Sequence, residues 1–215
     1  MKLNLTRSEL LVLLNVIFAT SLVIANVLAG KLVAFGEYIV IPAAVITYAF
    51  TFLITDVIHE KYGHETAKRT IVFGFIAQIF ASTMIVLGGF LPVAPFAAES
   101  QAAYETLLGQ NYRFALASMA AYLGSQFFDV YVFKKLKEKT RSEKKWLRNN
   151  VSTASSQFVD TTIFITIAFA GTVPNLWIMI VSQYAVKLII ALIDTPIFYL
   201  LTRRSSEDEE CRQAS

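Results

Sequence analysis

Six long apolar stretches constrain this chain more than any other feature of its sequence. Each is close to the roughly 20 residues that an α-helix needs to cross the hydrocarbon core of a bilayer. A helix at the surface of a soluble protein keeps a polar face opposite its apolar stripe, whereas these stretches are apolar all round apart from single polar residues. The sequence therefore predicts six transmembrane helices, at residues 9–35, 38–58, 68–91, 112–136, 150–173 and 176–202.

The composition agrees with a membrane protein. Hydrophobic residues make up 55% of the chain and charged residues only 16%, against about 25% charged residues in soluble domains. These values argue against an ordinary soluble enzyme and against a disordered chain. We expect an all-α, polytopic membrane protein in which residues 1–204 form one six-span domain. Residues 205–215 read as an acidic and polar cytoplasmic tail, which we expect to be disordered.

The basic residues set the expected orientation, because Lys and Arg are enriched on the cytoplasmic side. With the N-terminus inside, most of the 19 Lys and Arg residues fall in inside segments, the largest group at residues 134–148. We therefore expect both termini to be cytoplasmic and the chain to lie in the plasma membrane. The net charge of +3 then requires no nucleic-acid partner. The lipid bilayer is the expected partner, and a homodimer remains open.

Charged residues inside the apolar stretches are costly and usually face an interior or a water-filled cavity. Asp160 is ten residues into the fifth stretch and Lys187 eleven into the sixth, which places both about 15 Å deep. Opposite charges at one depth predict either an ion pair or a shared binding site.

A short repeated pattern adds further candidates. Residues 125–129 read SQFFD, residues 156–160 read SQFVD, and residues 182–184 read SQY ahead of Lys187. Spacings of three or four residues put the polar members of each copy on one helix face. We interpret the pattern as a polar chamber with aromatic walls, although interhelical hydrogen bonding explains the Ser residues as well. For the Gln residues the two interpretations remain equally open.

The enzyme motifs that parts of the sequence resemble are incomplete. His59 and His64 are five residues apart, whereas a zinc-protease helix needs two His residues at i and i+4. The chain has neither a Gly-x-Ser-x-Gly elbow nor a Gly-rich phosphate loop, and its one Cys residue, Cys211, lies in the polar tail. We therefore expect no catalytic residues, no metal site and no cofactor.

Several strings together resemble one bacterial and archaeal family. They are residues 55–63 (TDVIHEKYG), 124–133 (GSQFFDVYVF), 148–150 (RNN), 155–161 (SSQFVDT) and 167–169 (IAF), with Lys187 and Pro196 after them. In this order, on six predicted spans, they resemble the queuosine precursor transporter family, formerly grouped as vitamin uptake transporters. The resemblance implies import of 7-cyano-7-deazaguanine, 7-aminomethyl-7-deazaguanine or queuine for synthesis or salvage of the tRNA nucleoside queuosine.

The polar residues of the spans suit such a cargo. A carboxylate accepts two adjacent N–H donors of a guanine-like edge, and aromatic side chains stack on its ring face. The candidate substrate-binding residues are Asp160, Lys187, Gln157, Gln126, Gln183, Phe127, Phe158, Tyr184, Gln78 and Asn26. The candidate gating or coupling residues are Asp129, Asp56 and Asp194.

Other classes remain open from sequence alone. The strongest alternative is the substrate-binding subunit of an energy-coupling-factor vitamin transporter, which would need separate ATPase and scaffold partners. A membrane enzyme or assembly factor is disfavoured by the missing nucleophile, and a channel by the paired charges. A facilitator and an ion-coupled carrier are both compatible with the sequence.

Overall fold

The computed structural model describes residues 6–36, 39–139 and 145–202. Within them the chain is mostly helical, as expected, and a two-stranded hairpin is the exception. In chain order the elements are α1 (Arg7–Leu28), β1 (Leu32–Phe35), β2 (Ile39–Pro42), α2 (Val45–Tyr62), α3 (His64–Gly89), a short 3₁₀-helix (Pro95–Ala97), α4 (Ala98–Leu108), α5 (Asn111–Lys139), α6 (Lys145–Phe169) and α7 (Leu176–Thr202). The predicted tail at residues 205–215 lies outside the described residues.

The first helix begins at a capping box. The Glu9 N–H donates to the Thr6 hydroxyl at 3.3 Å, and the Thr6 N–H donates to the Glu9 carboxylate at 2.8 Å, so two of the unpaired donors at the helix start are satisfied. Arg7 donates to the Lys61 carbonyl at 2.7 Å, and the Tyr62 hydroxyl donates to the Arg7 carbonyl at 2.8 Å. These bonds join the start of α1 to the end of α2.

We call this end of the bundle the N-terminal face and the other end the hairpin face. At the N-terminal face α2 turns into α3 at Gly63, whose φ of 89° suits a residue without a Cβ. Burial here raises the pKa of the Tyr62 phenol, although the nearby Arg7 charge acts in the opposite direction. The phenol therefore stays a hydrogen-bond donor at neutral pH.

The end of the predicted helix at residues 9–35 and the start of the one at residues 38–58 are wrong. α1 ends at Leu28, and the chain then forms an antiparallel hairpin in which Leu32 pairs with Pro42 and Phe35 with Ile39. Five of the eight residues in the two strands are β-branched or aromatic, and these residue types favour strands. Gly36, with a φ of 68°, provides the turn. The apolar character of these residues does not distinguish a strand from a membrane-spanning helix, because both contain Val, Ile and Phe.

The other long helices differ from the predicted spans by no more than five residues at either end. α3 and α6 begin, and α5 ends, in polar sequence beyond the predicted spans, whereas α3 and α6 end earlier than predicted and α7 matches its predicted span. α6 ends at Phe169, ahead of Gly171, whose φ of 82° ends the helical conformation. From α5, the Arg113 guanidinium donates to the carbonyls of Ile167 and Ala170 at 2.7 and 2.6 Å. A cation at this position satisfies unpaired carbonyls and suits the helix dipole.

The six long helices form a closed ring in the order α1, α3, α5, α6, α7, α2. The most extensive contact is between α5 and α6, where small side chains allow close approach. At Gly124, for example, an added Cβ would lie 2.6 Å from the Ile163 Cδ1 atom. The ring leaves an interior that all six helices can line.

Much of the outer surface of the ring is apolar. Val12 of α1 and Phe73 and Phe80 of α3 are 62%, 60% and 64% exposed, which is unusual for large apolar side chains in water. Among the described helices, α1 and α3 are long and apolar enough to cross a membrane, and α7 has a shorter apolar stretch at Leu176–Ile190. The outward apolar faces suit lipid contact.

Candidate functional site

An ion pair lies at the centre of the ring. The Lys187 Nζ atom is 2.8 Å from the Asp160 Oδ2 atom, and the two side chains are only 10% and 21% exposed. Asp160 lies fifteen residues after the start of α6 and Lys187 fifteen residues before the end of α7, so both are about 22 Å above the N-terminal face. The two charges that the sequence places at one depth are therefore in direct contact.

A cavity of about 120 Å³ opens beside this pair. All of the six long helices contribute to its wall, which is mostly aromatic and aliphatic. The aromatic members are Phe18, Tyr48, Phe52, Phe75, Tyr122 and Phe164. An engineered cavity of about 150 Å³ binds benzene, so this volume is on the scale of one small aromatic ring. Apolar walls with a few convergent polar groups are typical of a small-molecule site.

Gln183 is the third predicted residue in the cavity wall. It lies one turn before Lys187 on α7, so the two side chains share the face that the spacing predicts. Its side chain is 1% exposed, and its Oε1 atom accepts no hydrogen bond within the described part of the chain. A buried acceptor without a donor is costly. The Gln183 carbonyl is thus available to a donor on a bound molecule.

Hydroxyl groups complete the polar part of the wall. Tyr48 and Thr51 come from α2, and the Tyr48 hydroxyl donates to the Ser118 Oγ atom of α5 at 3.4 Å. These residues were not predicted. Thr51 donates to the Tyr48 carbonyl of its own helix at 2.8 Å, a bond that any buried Thr can make. Only the spacing of Tyr48, Thr51 and Thr55 along one face of α2 could have indicated them.

Five of the predicted aromatic and amide residues lie elsewhere. The rings of Phe158 and Tyr184 pack edge to face at 5.3 Å and line a separate open groove formed by α5, α6 and α7. Gln126 is exposed on α5, and Phe127 beside it is 77% exposed. Gln157 is half-buried and is not among the residues that line the cavity. The repeated SQF pattern fixes neighbours within a helix but not the direction in which that helix face points.

The predicted gating residues are closer to the N-terminal face. Asp129 accepts a hydrogen bond from the Ser152 hydroxyl at 2.5 Å, which joins α5 to α6. The Asp56 side chain is exposed near the end of α2. Asp194 lies in the part of α7 whose side chains are outside the described residues. A packing role explains the Asp129 contact.

Gln78 and Asn26 lie away from the cavity, toward the hairpin face. Gln78 of α3 donates to Ser82 at 3.1 Å, and Ser82 donates to Asn111 of α5 at 2.8 Å. We call Gln78, Ser82 and Asn111 the amide cluster. Asn26 lies one turn past the cavity-lining Leu22 on α1. These four polar side chains are all more than nine-tenths buried.

Some atoms of these residues have no partner among the described residues. They are the Gln78 Oε1, Asn111 Nδ2 and Asn26 Oδ1 atoms. Among the same residues there is no group of three or more His, Cys, Asp or Glu side chains that could hold a metal ion. His59 and His64, whose rings are 5.2 Å apart at the α2–α3 turn, form a pair only.

A ring of long helices with apolar outer faces, around a cavity that holds a buried ion pair, is the architecture of a membrane transport protein. The family model described as "Putative vitamin uptake transporter" matches residues 42–201. The chain belongs to this vitamin uptake transporter family.

Two relatives extend the comparison. A Bacillus subtilis (strain 168) protein named "Probable queuosine precursor transporter" is 37% identical over 168 residues, covering 76% of this chain and 72% of the relative. A Haemophilus influenzae protein of the same name is 33% identical over 129 residues, covering 58% of this chain and 50% of the relative. No solved structure matches the chain.

Proposed function

We propose that this chain is a stand-alone plasma-membrane importer of queuosine precursors. The cargo would be 7-cyano-7-deazaguanine, 7-aminomethyl-7-deazaguanine or queuine, taken up for queuosine synthesis or salvage. The names of both relatives support this cargo. The observation that carries the proposal is the buried Asp160–Lys187 pair in the wall of a mostly apolar, aromatic-lined cavity.

The chemistry of the cavity wall suits a deazaguanine. The guanine-like edge has two adjacent N–H donors, which a carboxylate can accept together, and we assign this role to Asp160. The ring carbonyl needs a donor, which Lys187 provides as an ammonium group. The unpartnered Gln183 carbonyl accepts a further donor and fixes the orientation of the ring. Tyr48 of α2 and Phe75 of α3 line the cavity and supply aromatic contact to the ring face.

A bicyclic ring is larger than benzene, so the cavity must widen when it binds. Phe52 and Thr55 line the cavity on α2, and Phe52 is 39% exposed. Because an exposed side chain has room to change rotamer, we expect Phe52 to move aside and admit the cargo. We therefore propose that the opening lies between Phe52 and the N-terminal face.

We assign six membrane spans to the long helices of the ring, with both termini in the cytoplasm. The positive group at residues 134–148 supports this orientation, since basic segments stay inside. The N-terminal face is then cytoplasmic, and the hairpin and α4 lie at the outer end. The apolar outward faces of α1 and α3 support contact with lipid.

The test uses a bacterial host that lacks both precursor synthesis and its own precursor transporter. Expression of this chain alone, with 7-aminomethyl-7-deazaguanine in the medium, is expected to restore queuosine in tRNA. Asp160→Asn should abolish restoration. Glu65→Gln is the matched control, because Glu65 is an exposed carboxylate that pairs with Lys68 at 3.2 Å on the surface of α3.

Two outcomes would contradict the proposal. If Asp160→Asn restored queuosine to the wild-type level, the cavity beside Asp160 would not be the binding site of the cargo. No restoration by the wild-type chain, despite its insertion in the membrane, would reject a stand-alone importer of this cargo. If restoration then required added ATPase and scaffold proteins, the chain would be the substrate-binding subunit of an energy-coupling-factor transporter.

A further inference from the structure

Asp160 has a counter-cation that belongs to the protein itself. Lys187 reaches it from the neighbouring helix at 2.8 Å, and both side chains are largely buried. The α1 and α3 walls facing the pair are formed by Phe18, Leu22, Ile71 and Phe75. Apart from the pair, the titratable groups that line the cavity are Tyr48 of α2 and Tyr122 of α5, and both are neutral phenols at neutral pH. The empty cavity therefore has no net charge.

The charge of the empty site determines how a carrier can return after releasing its cargo. A carrier exposes one site to each side of the membrane in turn. A lone carboxylate in a largely dehydrated cavity is strongly disfavoured unless it is paired or neutralised. Carriers with such a site can meet this need by binding a proton or a metal cation, and that ion then crosses with the cargo. In this chain the ammonium group of Lys187 meets the same need.

We infer that Lys187 takes the place of a coupling ion, so that this chain carries a neutral heterocycle by electroneutral, uncoupled transport. The inference rests on the proposed function and specifies its energetics. A neutral cargo adds no charge to a neutral site, so the loaded and the empty carrier can both change orientation without moving net charge. The direction of transport is then set by the cargo gradient alone.

The two smallest proposed cargoes make this inference measurable. 7-Cyano-7-deazaguanine is neutral at pH 7, whereas the amine of 7-aminomethyl-7-deazaguanine is protonated. In proteoliposomes containing the purified full chain, uptake of the cyano compound should change less than twofold when a potassium–valinomycin potential is imposed or reversed. It should also be unchanged by a protonophore and by replacement of sodium with choline. Uptake of the aminomethyl compound should follow the sign of the potential, because it brings a charge.

A lysine variant tests the role of the counter-cation. In Lys187→Met the carboxylate of Asp160 has lost its partner and must bind a proton to become neutral. Uptake of the cyano compound should then depend on pH, because the carboxylate must bind a proton for the empty site to be neutral and must release it to accept the two N–H donors of the cargo. Lys187→Arg should stay independent of pH. Lys68→Met, at an exposed lysine, is the control.

Each result decides one claim. Cyano-compound uptake by the wild-type chain that collapses with a protonophore, or that requires sodium, overturns the inference and leaves the proposed function intact. Lys187→Met uptake with a wild-type pH profile also overturns it. If Lys187→Met is inactive at every pH, the wild-type response to potential and ionophores decides alone. A wild-type chain that carries neither compound down a gradient rejects the proposed function itself.

Discussion

Two polar regions inside the same helix ring differ in what surrounds them. The Asp160–Lys187 pair borders a cavity, whereas the amide cluster of Gln78, Ser82 and Asn111 lies in the packed contact between α3 and α5. Both regions are largely buried. Among the described residues, Gln183 beside the pair has an unpartnered Oε1 atom, and the amide cluster has two unpartnered atoms, Gln78 Oε1 and Asn111 Nδ2. The open volume beside the ion pair is the feature that gives a ligand access. Polarity within the membrane therefore indicates function only where space for a ligand adjoins it.

The largest effect is expected from breaking the ion pair. Asp160→Asn leaves the Lys187 charge buried without a counter-charge, which costs about 3–5 kcal/mol for a buried pair. We expect a marked drop in melting temperature in detergent, together with loss of uptake. Asp160→Asn combined with Lys187→Met should recover most of the thermal stability and none of the uptake. Equal destabilisation by the single and the double variant would show that the two charges do not depend on each other.

A smaller effect is expected at Gln183. Gln183→Leu removes the unpartnered Oε1 atom and fills a similar volume, so the fold should keep or gain stability. Affinity should fall by roughly 10–100-fold, the cost of about 1.4–2.8 kcal/mol for one lost hydrogen bond with a bound ligand. Thermal unfolding of the purified variant measures the stability, and its titration with 7-cyano-7-deazaguanine measures the affinity. Unchanged affinity would remove Gln183 from the site.

The amide cluster should behave differently from the cavity. Gln78→Met removes an unpartnered acceptor together with one hydrogen bond to Ser82, and it leaves the Ser82–Asn111 bond in place. The two losses offset each other, so stability should change by no more than about 1 kcal/mol, and uptake should stay at the wild-type level. Ser82→Ala instead removes the shared partner of two buried amides and should cost about 1–3 kcal/mol. A loss of uptake in Gln78→Met with normal stability would show that this region also contacts the cargo.

The smallest effect is expected on the outer surface of α5. Gln126→Ala and Phe127→Ala change exposed side chains away from the cavity. The free energy of unfolding should therefore remain within about 0.5 kcal/mol of the wild-type value, and the uptake rate should be unchanged. Transport assays on membranes with matched protein levels would check this. Loss of uptake in either variant would mean that the α5 copy of the SQF pattern acts in transport after all.

Residues under a strong physical constraint could be predicted from the sequence. Asp160 and Lys187 could be predicted because a charge in an apolar stretch is rare and because helix rise fixes its depth. Gln183 followed from its spacing to Lys187. Gln126 and Phe127 do not line the cavity, because the rotation of a helix about its axis depends on packing against other helices, which a local repeat does not contain.

Tyr48, Thr51 and Ser118 were missed for a related reason. Hydroxyl side chains are common in membrane helices, where they bond to their own backbone, so their types alone do not indicate a site. The hairpin was missed because Val, Ile and Phe residues suit a strand and a membrane span equally well. Both features depend on contacts with distant parts of the chain: the cavity on all six helices, and the strand β2 on α7.

The decisive experiment for a stand-alone carrier measures the uptake of labelled 7-cyano-7-deazaguanine by the purified chain in proteoliposomes. The account predicts saturable uptake by this chain alone that ends at equal concentrations inside and outside. It also predicts that Asp160→Asn abolishes this uptake and that Glu65→Gln leaves it unchanged. Uptake no faster than into empty liposomes, by a protein shown to be folded, would contradict the account.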